Sequence, residues 1–334
     1  MIDSVQLRQF RNHDQLAATF QPGTNLIVGP NGSGKTSILE AMYATATGAS
    51  WRGSTADLVQ DSGDWAAAEF AIGDDSYKLQ LDGREGPLSK TRLINDESKR
   101  TGFPSLLLLE PTAIELVVGG PRRRREWLDD VLVRTQPDYQ RTLKQYSRAL
   151  SQRNALLKKE IRNPDQLFVW NIKLAELGAK LATQRQQLIE DAHGEVNRLF
   201  AAVAGYSKGL HVSYQPKFDP VDYSQQFMNY LEANLERDIA IGFTPAGPHR
   251  EDITLRVDGG AASDHLSRGE QMILAFSLIY AQAQRLKPAA VLLDDFTSDL
   301  DNTKSINLIA TINQQCIVAS VNAQLADAPV AVKF

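Results

Sequence analysis

The sequence is poor in several residue types and patterns that define other protein classes. Its 334 residues include a single cysteine, Cys316, which excludes an internal disulfide and a zinc site built from several cysteines. We expect Cys316, in the apolar run CIVAS, to be a small core residue. No stretch reaches the ~18 consecutive apolar residues of a membrane helix, and the first residues lack the features of a secretory signal. These absences favour a cytoplasmic protein.

The chain also lacks a strong excess of either charge, because its formal net charge is −4. The charges are unevenly placed: residues 121–200 contain 16 Lys and Arg against 10 Asp and Glu, and the remainder is acidic. A basic segment in an acidic protein is typical of a polyanion-binding surface, but the solvated faces of long helices carry the same surplus. The charge pattern is compatible with both interpretations. With 43% hydrophobic residues, the chain is long enough for two or three globular domains.

Hydrophobic periodicity divides the chain into three segments. Short β-like runs and the apolar pattern SILEAMYATATG fill residues 1–110, and apolar residues at three- and four-residue steps then predict two long antiparallel helices within residues 111–205. In residues 206–334, buried strands such as AAVLLDD and CIVASV alternate with amphipathic helices, which indicates a parallel sheet covered on both faces. The expected fold is α/β, with an all-α lobe inserted between two halves of one domain.

The strongest local motif is a phosphate loop. The segment GPNGSGKT matches GxxxxGK[ST] and lies between the strand NLIV and the helix SILEAMY, as phosphate binding requires. Glycines let backbone N–H groups wrap a triphosphate, while Lys35 reaches the β and γ phosphates and Thr36 offers its hydroxyl to Mg²⁺. The predicted nucleotide-binding residues of this loop are Gly29, Pro30, Asn31, Gly32, Ser33, Gly34, Lys35, Thr36 and Ser37.

A second motif supplies carboxylates. The buried strand VLLDD ends in Asp294 and Asp295, which matches the strand-end acid that holds Mg²⁺ in phosphate-loop enzymes. We assign Asp294 to magnesium and Asp295 to general-base activation of water, with Lys35 as its catalytic partner on the phosphates. The alternative is that both acids cap the turn that follows the strand.

Two further fragments resemble motifs of ABC-type ATPases. LSRGEQ, residues 266–271, resembles the signature motif. Ser298-Asp-Leu-Asp301 resembles the D-loop, which follows the strand-end carboxylates. Ser267 and Glu270 also match the helix capping box S-x-x-E, and the two interpretations are compatible.

The ordered motifs, read with QLRQFRNHDQL, GGPRRRREWLD, SQRNALLKK and TPAGPHRED, resemble the RecF family of bacterial recombination-mediator ATPases over nearly the whole chain. The resemblance implies an ABC-type ATPase head with an inserted helical lobe, ATP and Mg²⁺ as ligands, and an ATP-dependent homodimer. It also implies binding of double-stranded and gapped DNA, with RecR, RecO and RecA as partners.

Residue by residue, the resemblance places Arg11 and Asn12 beside the nucleotide. It places Ser267, Arg268 and Gly269 across a dimer against the γ-phosphate of the other chain, with Asp301 near the same junction. The glutamine and histidine of two other ABC loops have no evident counterpart, and Glu110, Thr112, Ser320 and Asn322 are the polar residues in those regions.

A site divided between two chains predicts weak ATP hydrolysis that acts as a dimerisation switch. The alternative is an ATP-dependent DNA clamp that needs no hydrolysis. We expect DNA contacts that neutralise phosphates without reading bases. The candidates are Arg122, Arg123, Arg124, Arg125, Lys144, Arg148, Arg153, Lys158 and Lys159, with Arg162 beyond them. His249 and Arg250 in GPHRED are candidates for a nucleotide or DNA role, or for a structural one.

Overall fold

A computed structural model of the protein describes residues 1–61, 63–159, 164–296, 298–321 and 328–334. The chain forms two compact units. Unit 1 contains Met1–Ala113, Leu199–Tyr206 and Arg268–Phe334. Unit 2 contains Ile114–Arg198 and Ser207–Ser267.

The core of unit 1 is a parallel sheet of five strands. Its strand order is β14 (Val330–Lys333), β3 (Thr24–Val28), β13 (Cys316–Ser320), β12 (Ala290–Asp294) and β8 (Leu106–Leu109). Every residue of β12 and β13 is buried, so neither strand shows the alternating pattern of a sheet with one face in water. The predicted parallel sheet is confirmed, and Cys316 is 1% exposed within it, as expected for a core residue.

Unit 1 also contains an antiparallel sheet of six strands. Its strand order is β2 (His13–Thr19), β1 (Ser4–Phe10), β4 (Trp65–Ile72), β5 (Asp75–Asp82), β6 (Ser89–Ile94) and β7 (Glu97–Ser98). Buried and less buried residues alternate along β4, where Ala66, Ala68 and Phe70 point into the core. This is the period of two expected when one face of a sheet packs inward.

Helix α1 (Lys35–Thr47) packs against strands of both sheets in unit 1. Its contact residues are fully buried and include Ile38, Leu39 and Met42. The helix ends at Gly48, which adopts the left-handed conformation that favours glycine and donates its N–H to a carbonyl of the last turn. The start of α1, and with it the phosphate loop, is therefore fixed by packing on two sides. The later helices of unit 1 are α9 (Arg268–Tyr280), α10 (Ala283–Leu286) and α11 (Asn302–Ala310).

Unit 2 combines helices with a small antiparallel sheet. The helices are α2 (Glu115–Val118), α3 (Pro121–Thr135), α4 (Tyr139–Leu157), α5 (Pro164–Ala204), α6 (Tyr223–Ala233), α7 (Leu235–Ile241) and α8 (Ala262–His265), and the residues of α5 from Leu199 onward belong to unit 1. The sheet has the order β11 (Gly260–Ala261), β10 (Asp252–Val257) and β9 (Leu210–Gln215).

Helices α4 and α5 run antiparallel, as predicted. Arg153 near the end of α4 bonds to Asn171 near the start of α5, while Tyr139 at the start of α4 bonds to Arg185 further along α5. The first predicted long helix is, however, two helices. Gln136 after α3 is extended and is followed by Pro137, which restricts the residue before it and ends the helix there.

The contacts group the chain differently from the predicted boundaries. Residues 207–267, which the sequence pattern placed with the second half of the head, pack with residues 114–198. The physical reason is the pairing of β9 with β10 and the packing of α3 on β10, which the strand pattern alone does not reveal.

Candidate functional site

The glycine-rich loop connects β3 to α1 with a backbone that only glycine adopts easily. Gly32 and Gly34 have φ values of 82° and 98°. A Cβ atom on Gly34 would lie 2.4 Å from Nε2 of His13, and the same ring nitrogen lies 3.1 Å from the carbonyl oxygen of Gly34. The loop therefore has no room for a side chain at Gly34.

Lys35 is the first residue of α1, and its ammonium group turns back across the loop. Its Nζ donates to the carbonyl oxygens of Gly29 and Pro30 at 2.8 and 2.9 Å. Ser33 Oγ is buried and has no hydrogen-bond partner among the described residues. A loop with a buried cation and an unsatisfied hydroxyl has the chemistry of an anion site.

The closest link between the two main motifs is a hydrogen bond from Thr36 Oγ1 to Asp294 Oδ1, at 2.7 Å. These residues are 258 positions apart, yet β3 and β12 both pair with β13 in parallel, so their carboxyl ends meet at one edge of the sheet. Burial raises the pKa of Asp294, while the hydroxyl of Thr36 acts in the opposite direction. A hydroxyl and a carboxylate are oxygen ligands of the kind that Mg²⁺ takes in phosphate sites.

Asp295 follows directly and has an unusual backbone. Its φ is 46°, in the left-handed region that non-glycine residues rarely adopt. The N–H of Asp295 donates to the carbonyl of Ala319, and the carbonyl of Asp295 accepts a hydrogen bond from the hydroxyl of Ser298. Both backbone groups of Asp295 are therefore hydrogen-bonded. Burial raises the pKa of Asp295, and the charge of Lys35 opposes that rise. Backbone strain of about 1–3 kcal/mol at a cleft residue is a feature of functional sites.

One cleft of about 700 Å³ collects most of the predicted nucleotide and metal residues. Those that line it are Arg11, Asn12, Asn31, Gly32, Gly34, Lys35, Thr36, Ser37, Asp294 and Asp295. Ser37 donates to Oδ1 of Asn12 at 3.1 Å, which joins the loop to the turn after β1. A volume of this size accommodates a small-molecule ligand such as a nucleotide.

The cleft has lining residues that the sequence did not single out. Arg52, Gln60 and Asp61 lie on the segment between α1 and β4. That segment has no strand or long-helix periodicity, so no pattern in the sequence marks which of its side chains reach the cleft.

The signature residues and the D-loop do not line this cleft among the described residues. Arg268 Nε donates to Asp299 Oδ1 at 2.9 Å, and this bond raises the pKa of Arg268. A Cβ on Gly269 would lie 3.2 Å from the carbonyl of Asp299, so the start of α9 packs closely on the D-loop backbone. Asp301 caps α11 by accepting the N–H of Lys304. Helix α9 begins directly after Ser267, so the capping alternative for that serine stays open.

Few side chains can be assigned a role in the two regions where this chain lacks the glutamine and the histidine of ABC-type ATPases. Thr112 donates to Glu110 at 2.5 Å, and the charge of Glu110 contributes to the raised pKa of Asp294. Ser320 is buried at the end of β13, and Asn322 lies outside the described residues.

The predicted DNA residues fall into two groups, one of which is exposed. Lys144, Arg148, Lys158 and Lys159 are exposed on or just after α4. Arg122 and Arg123 are also exposed, but both form ion pairs, Arg122 with Glu126 and Arg123 with Glu115.

The other group, Arg153 and Arg124, contradicts the prediction that these residues contact DNA. Arg153 is wholly buried, and its guanidinium bonds to Asn171, Asp238 and Thr244, each at 2.7 Å. Arg124 forms a two-bond pair with Asp252. Neither guanidinium is available to a DNA phosphate, because each already satisfies a carboxylate within unit 2.

Two further candidates are Arg125 and Arg162. Arg125 is partly buried and donates to the carbonyl of Glu251. Arg162 lies outside the described residues.

His249 has a structural environment. Its Nε2 lies 2.9 Å from the carbonyl of Thr244 and its Nδ1 lies 2.7 Å from the hydroxyl of Tyr146. A carbonyl can only accept, so Nε2 carries the proton and Nδ1 accepts from Tyr146. Burial, together with Arg250 and other nearby arginines, lowers the pKa of His249 to about 4. Both ring nitrogens are therefore engaged, and the ring is neutral at pH 7.

The parallel sheet, the phosphate loop and the strand-end carboxylates define an ATPase head of the ABC type. No helix in the part of the chain that the structure describes is long and apolar enough to cross a membrane. The chain belongs to the family described as RecF/RecN/SMC N terminal domain, whose model matches residues 1–332. The resemblance to RecF and the predicted fold class are confirmed.

Similar proteins cover nearly the whole chain. Relatives named "DNA replication and repair protein RecF" are 28% identical in Agathobacter rectalis and 30% identical in Acaryochloris marina, over 94% and 93% of this chain and 90% and 89% of the relatives. A solved structure of "the recombination mediator protein RecF-ATP in RecFOR pathway" is 25% identical, with a TM-score of 0.82 over 98% of this chain and 93% of that one. An Smc head bound to the C-winged helix domain of ScpA shares the fold at 13% identity and a TM-score of 0.58, over 97% of this chain and 90% of that one.

The depressed pKa of His249 predicts a specific loss of stability in acid. His249 binds a proton near pH 6.5 in the unfolded chain and only near pH 4 in the folded chain. The contribution of the neutral ring to the free energy of unfolding is therefore complete above pH 6.5 and is lost as the pH falls toward 4. From pH 7 to pH 5 we expect His249 to lower the free energy of unfolding by about 2 kcal/mol. Urea denaturation of the wild type and His249→Gln at both pH values measures the difference. Equal decreases in the two proteins would contradict this role for His249.

Proposed function

We propose that this chain binds ATP with Mg²⁺ at the cleft of unit 1 and hydrolyses it slowly. The observation that carries this proposal is the 2.7 Å bond between Thr36 and Asp294, which joins the phosphate loop to the strand-end carboxylate. A glycine loop alone has many uses, but a loop threonine bonded to a buried acid at the end of another parallel strand of the same sheet is the ligand set of a nucleotide-bound Mg²⁺. The solved RecF-ATP relative supports ATP as the ligand.

The residues of the loop fit a triphosphate. Neighbouring side chains leave no space for a Cβ at Gly29 or Gly34, so the loop can present its backbone N–H groups to an anion there. The ammonium of Lys35, now held by two carbonyls, has the reach to exchange those bonds for phosphate oxygens. Thr36 and Asp294 would hold Mg²⁺, which when bound supplies positive charge to the phosphate oxygens.

Asp295 is proposed as the general base. It lies beside Asp294 in the same cleft, and its carboxylate accepts a proton from the attacking water while Lys35 stabilises charge on the phosphate. Its raised pKa has a direct consequence: acidification protonates this base at a higher pH than it would an ordinary aspartate.

The base assignment predicts the effect of Asp295→Asn. The amide cannot accept the proton, so we expect ATP turnover to fall by at least about 100-fold while nucleotide binding is kept. Phosphate release measures turnover, and Asp96→Asn, at an exposed aspartate of the same unit, is the matched control. Unchanged turnover would remove Asp295 from the reaction.

We further propose that ATP drives dimerisation, with Ser267, Arg268 and Gly269 of one chain completing the site of the other. The support is that these residues do not line the cleft of their own chain, although the motif matches the ABC signature. The bond from Arg268 to Asp299 and the close approach of Gly269 to the D-loop place the start of α9 against the D-loop of the same chain. Nucleotide bound by both chains stabilises the dimer by mass action, and loss of the γ-phosphate contact reverses it.

The divided site predicts that Ser267→Arg stays monomeric with ATP and Mg²⁺ while still binding the nucleotide, because an arginine at the signature obstructs only the partner's γ-phosphate. Light-scattering mass with and without ATP measures the oligomeric state. The control is Ser89→Arg, which adds the same bulk on β6 of unit 1 and should dimerise like the wild type. Dimerisation of the signature variant would refute the divided site.

The proposed biological role is DNA binding in recombinational repair and replication restart. The support is the naming of the relatives as DNA replication and repair proteins and the exposed cations on α4. In this role the ATP-bound dimer lies on duplex or gapped DNA and acts with RecO and RecR to promote RecA loading. Lys144 and Arg148 lie four residues apart on one face of α4 and would neutralise successive phosphates.

The DNA surface predicts the effect of Lys144→Glu combined with Arg148→Glu. We expect duplex affinity to fall about 10- to 100-fold, and the slope of log affinity against log salt to decrease by about 2, because two phosphate contacts are lost. Fluorescence anisotropy over a salt series with two unrelated duplexes measures both. Lys99→Glu with Arg100→Glu changes the net charge equally on unit 1 and is the control. If the two double variants had equal effects on affinity, the loss would reflect only the change in overall charge and not a DNA surface on α4.

A further inference from the structure

A buried carboxylate lies beneath the rim of the proposed nucleotide cleft. Glu40, on α1, is 0% exposed and does not itself line the cleft. It accepts two bonds from Arg11, from Nε at 2.9 Å and from Nη2 at 2.7 Å, which is the planar two-bond geometry of a guanidinium on a carboxylate. The hydroxyl of Ser50 donates to the same group at 2.5 Å, and Nη1 of Arg52 lies 3.7 Å from Oε2.

The two arginines that meet Glu40 come from different parts of unit 1 and both line the cleft. Arg11 lies in the turn between β1 and β2, where its backbone has a φ of 55° and its N–H donates to the carbonyl of Leu58. Arg52 lies in the segment after α1 and is half exposed. Glu40 is their shared anion, and it is attached to the helix that begins with Lys35.

We propose that Glu40 is a positioning residue, which holds the guanidinium groups of Arg11 and Arg52 at the cleft so that they meet the nucleotide phosphates in a fixed orientation. This inference rests on the proposed ATP function of the cleft. A two-bond pair fixes both the position and the plane of the Arg11 guanidinium, and a preorganised cation binds an anion more tightly than a mobile one.

Two simpler roles for Glu40 make opposite predictions. If Glu40 were only a negative charge near the cleft, its removal would make the cleft more positive and strengthen ATP binding. If it only anchored the turn between β1 and β2, its removal would lower thermal stability and leave the affinity of the folded protein unchanged. Positioning predicts that removal weakens ATP binding although the cleft becomes more positive.

The experiment is a double-mutant cycle in the full chain, with mant-ATP and Mg²⁺ as the fluorescent probe. We expect Glu40→Gln to weaken binding about 10-fold, as loss of an orienting contact to a charged group does. Arg11→Ala should weaken it similarly, and the double variant should lose less than the sum of the two single losses, because Glu40 and Arg11 share one interaction and only the contact of Glu40 with Arg52 is removed in addition. Arg11→Lys keeps the charge without the planar fork and should resemble Arg11→Ala.

The control is Glu69→Gln, which removes one half-exposed carboxylate of β4 in the same unit and should leave binding unchanged. Thermal unfolding of every variant, and binding measured well below each midpoint, separate affinity from stability. The positioning role of Glu40 would be overturned by tighter or unchanged binding in Glu40→Gln, or by additive losses in the double variant. Failure of the wild type to bind mant-ATP would instead refute the proposed function of the cleft.

Discussion

The parallel pairing of β3, β13 and β12 is the constraint on which the candidate site depends. It brings Thr36 to within 2.7 Å of Asp294, although most of the chain lies between them in sequence. The pairing is possible because these strands are apolar along almost their whole length and can be covered on both faces. The long segment between these strands returns the chain to the same sheet, which is how one site can be built from two distant segments.

Helix α1 transmits this constraint to the rest of the cleft. Its first two residues, Lys35 and Thr36, complete the phosphate loop, and its middle is buried between two sheets. Its second turn contains Glu40, which contacts Arg11 and Arg52. The same rigid helix therefore fixes Lys35 and, through a buried carboxylate, two side chains contributed by other segments. A buried carboxylate without partners would strongly destabilise the fold, so the position of Glu40 requires the arginines as much as the arginines require Glu40.

The local motifs could be predicted from the sequence, because each depends on a short pattern with a specific structural context. The glycine loop lies between a strand and a helix, and Asp294 ends a fully apolar strand, as predicted. The grouping of residues 207–267 could not be predicted, since β9 and β10 have the same alternation whether they extend the head or pack beside α3. Glu40 was missed for a related reason: in SILEAMY it has the spacing of an ordinary helix residue, and its partners come from loops without periodicity.

The arginines of unit 2 show why a count of basic residues overestimates a DNA surface. Arg153, Arg185 and Arg124 each donate to an aspartate within the unit, and the first two are almost fully buried. The planar guanidinium suits this role, since it satisfies a carboxylate and further acceptors at once, whereas a lysine ammonium is costly to bury. The lysines at positions 144, 158 and 159 are exposed. The exposed lysines, together with exposed arginines such as Arg148, are therefore the candidates for the surface that DNA can reach, whereas Arg153, Arg185 and Arg124 belong to the network that holds the helices in place.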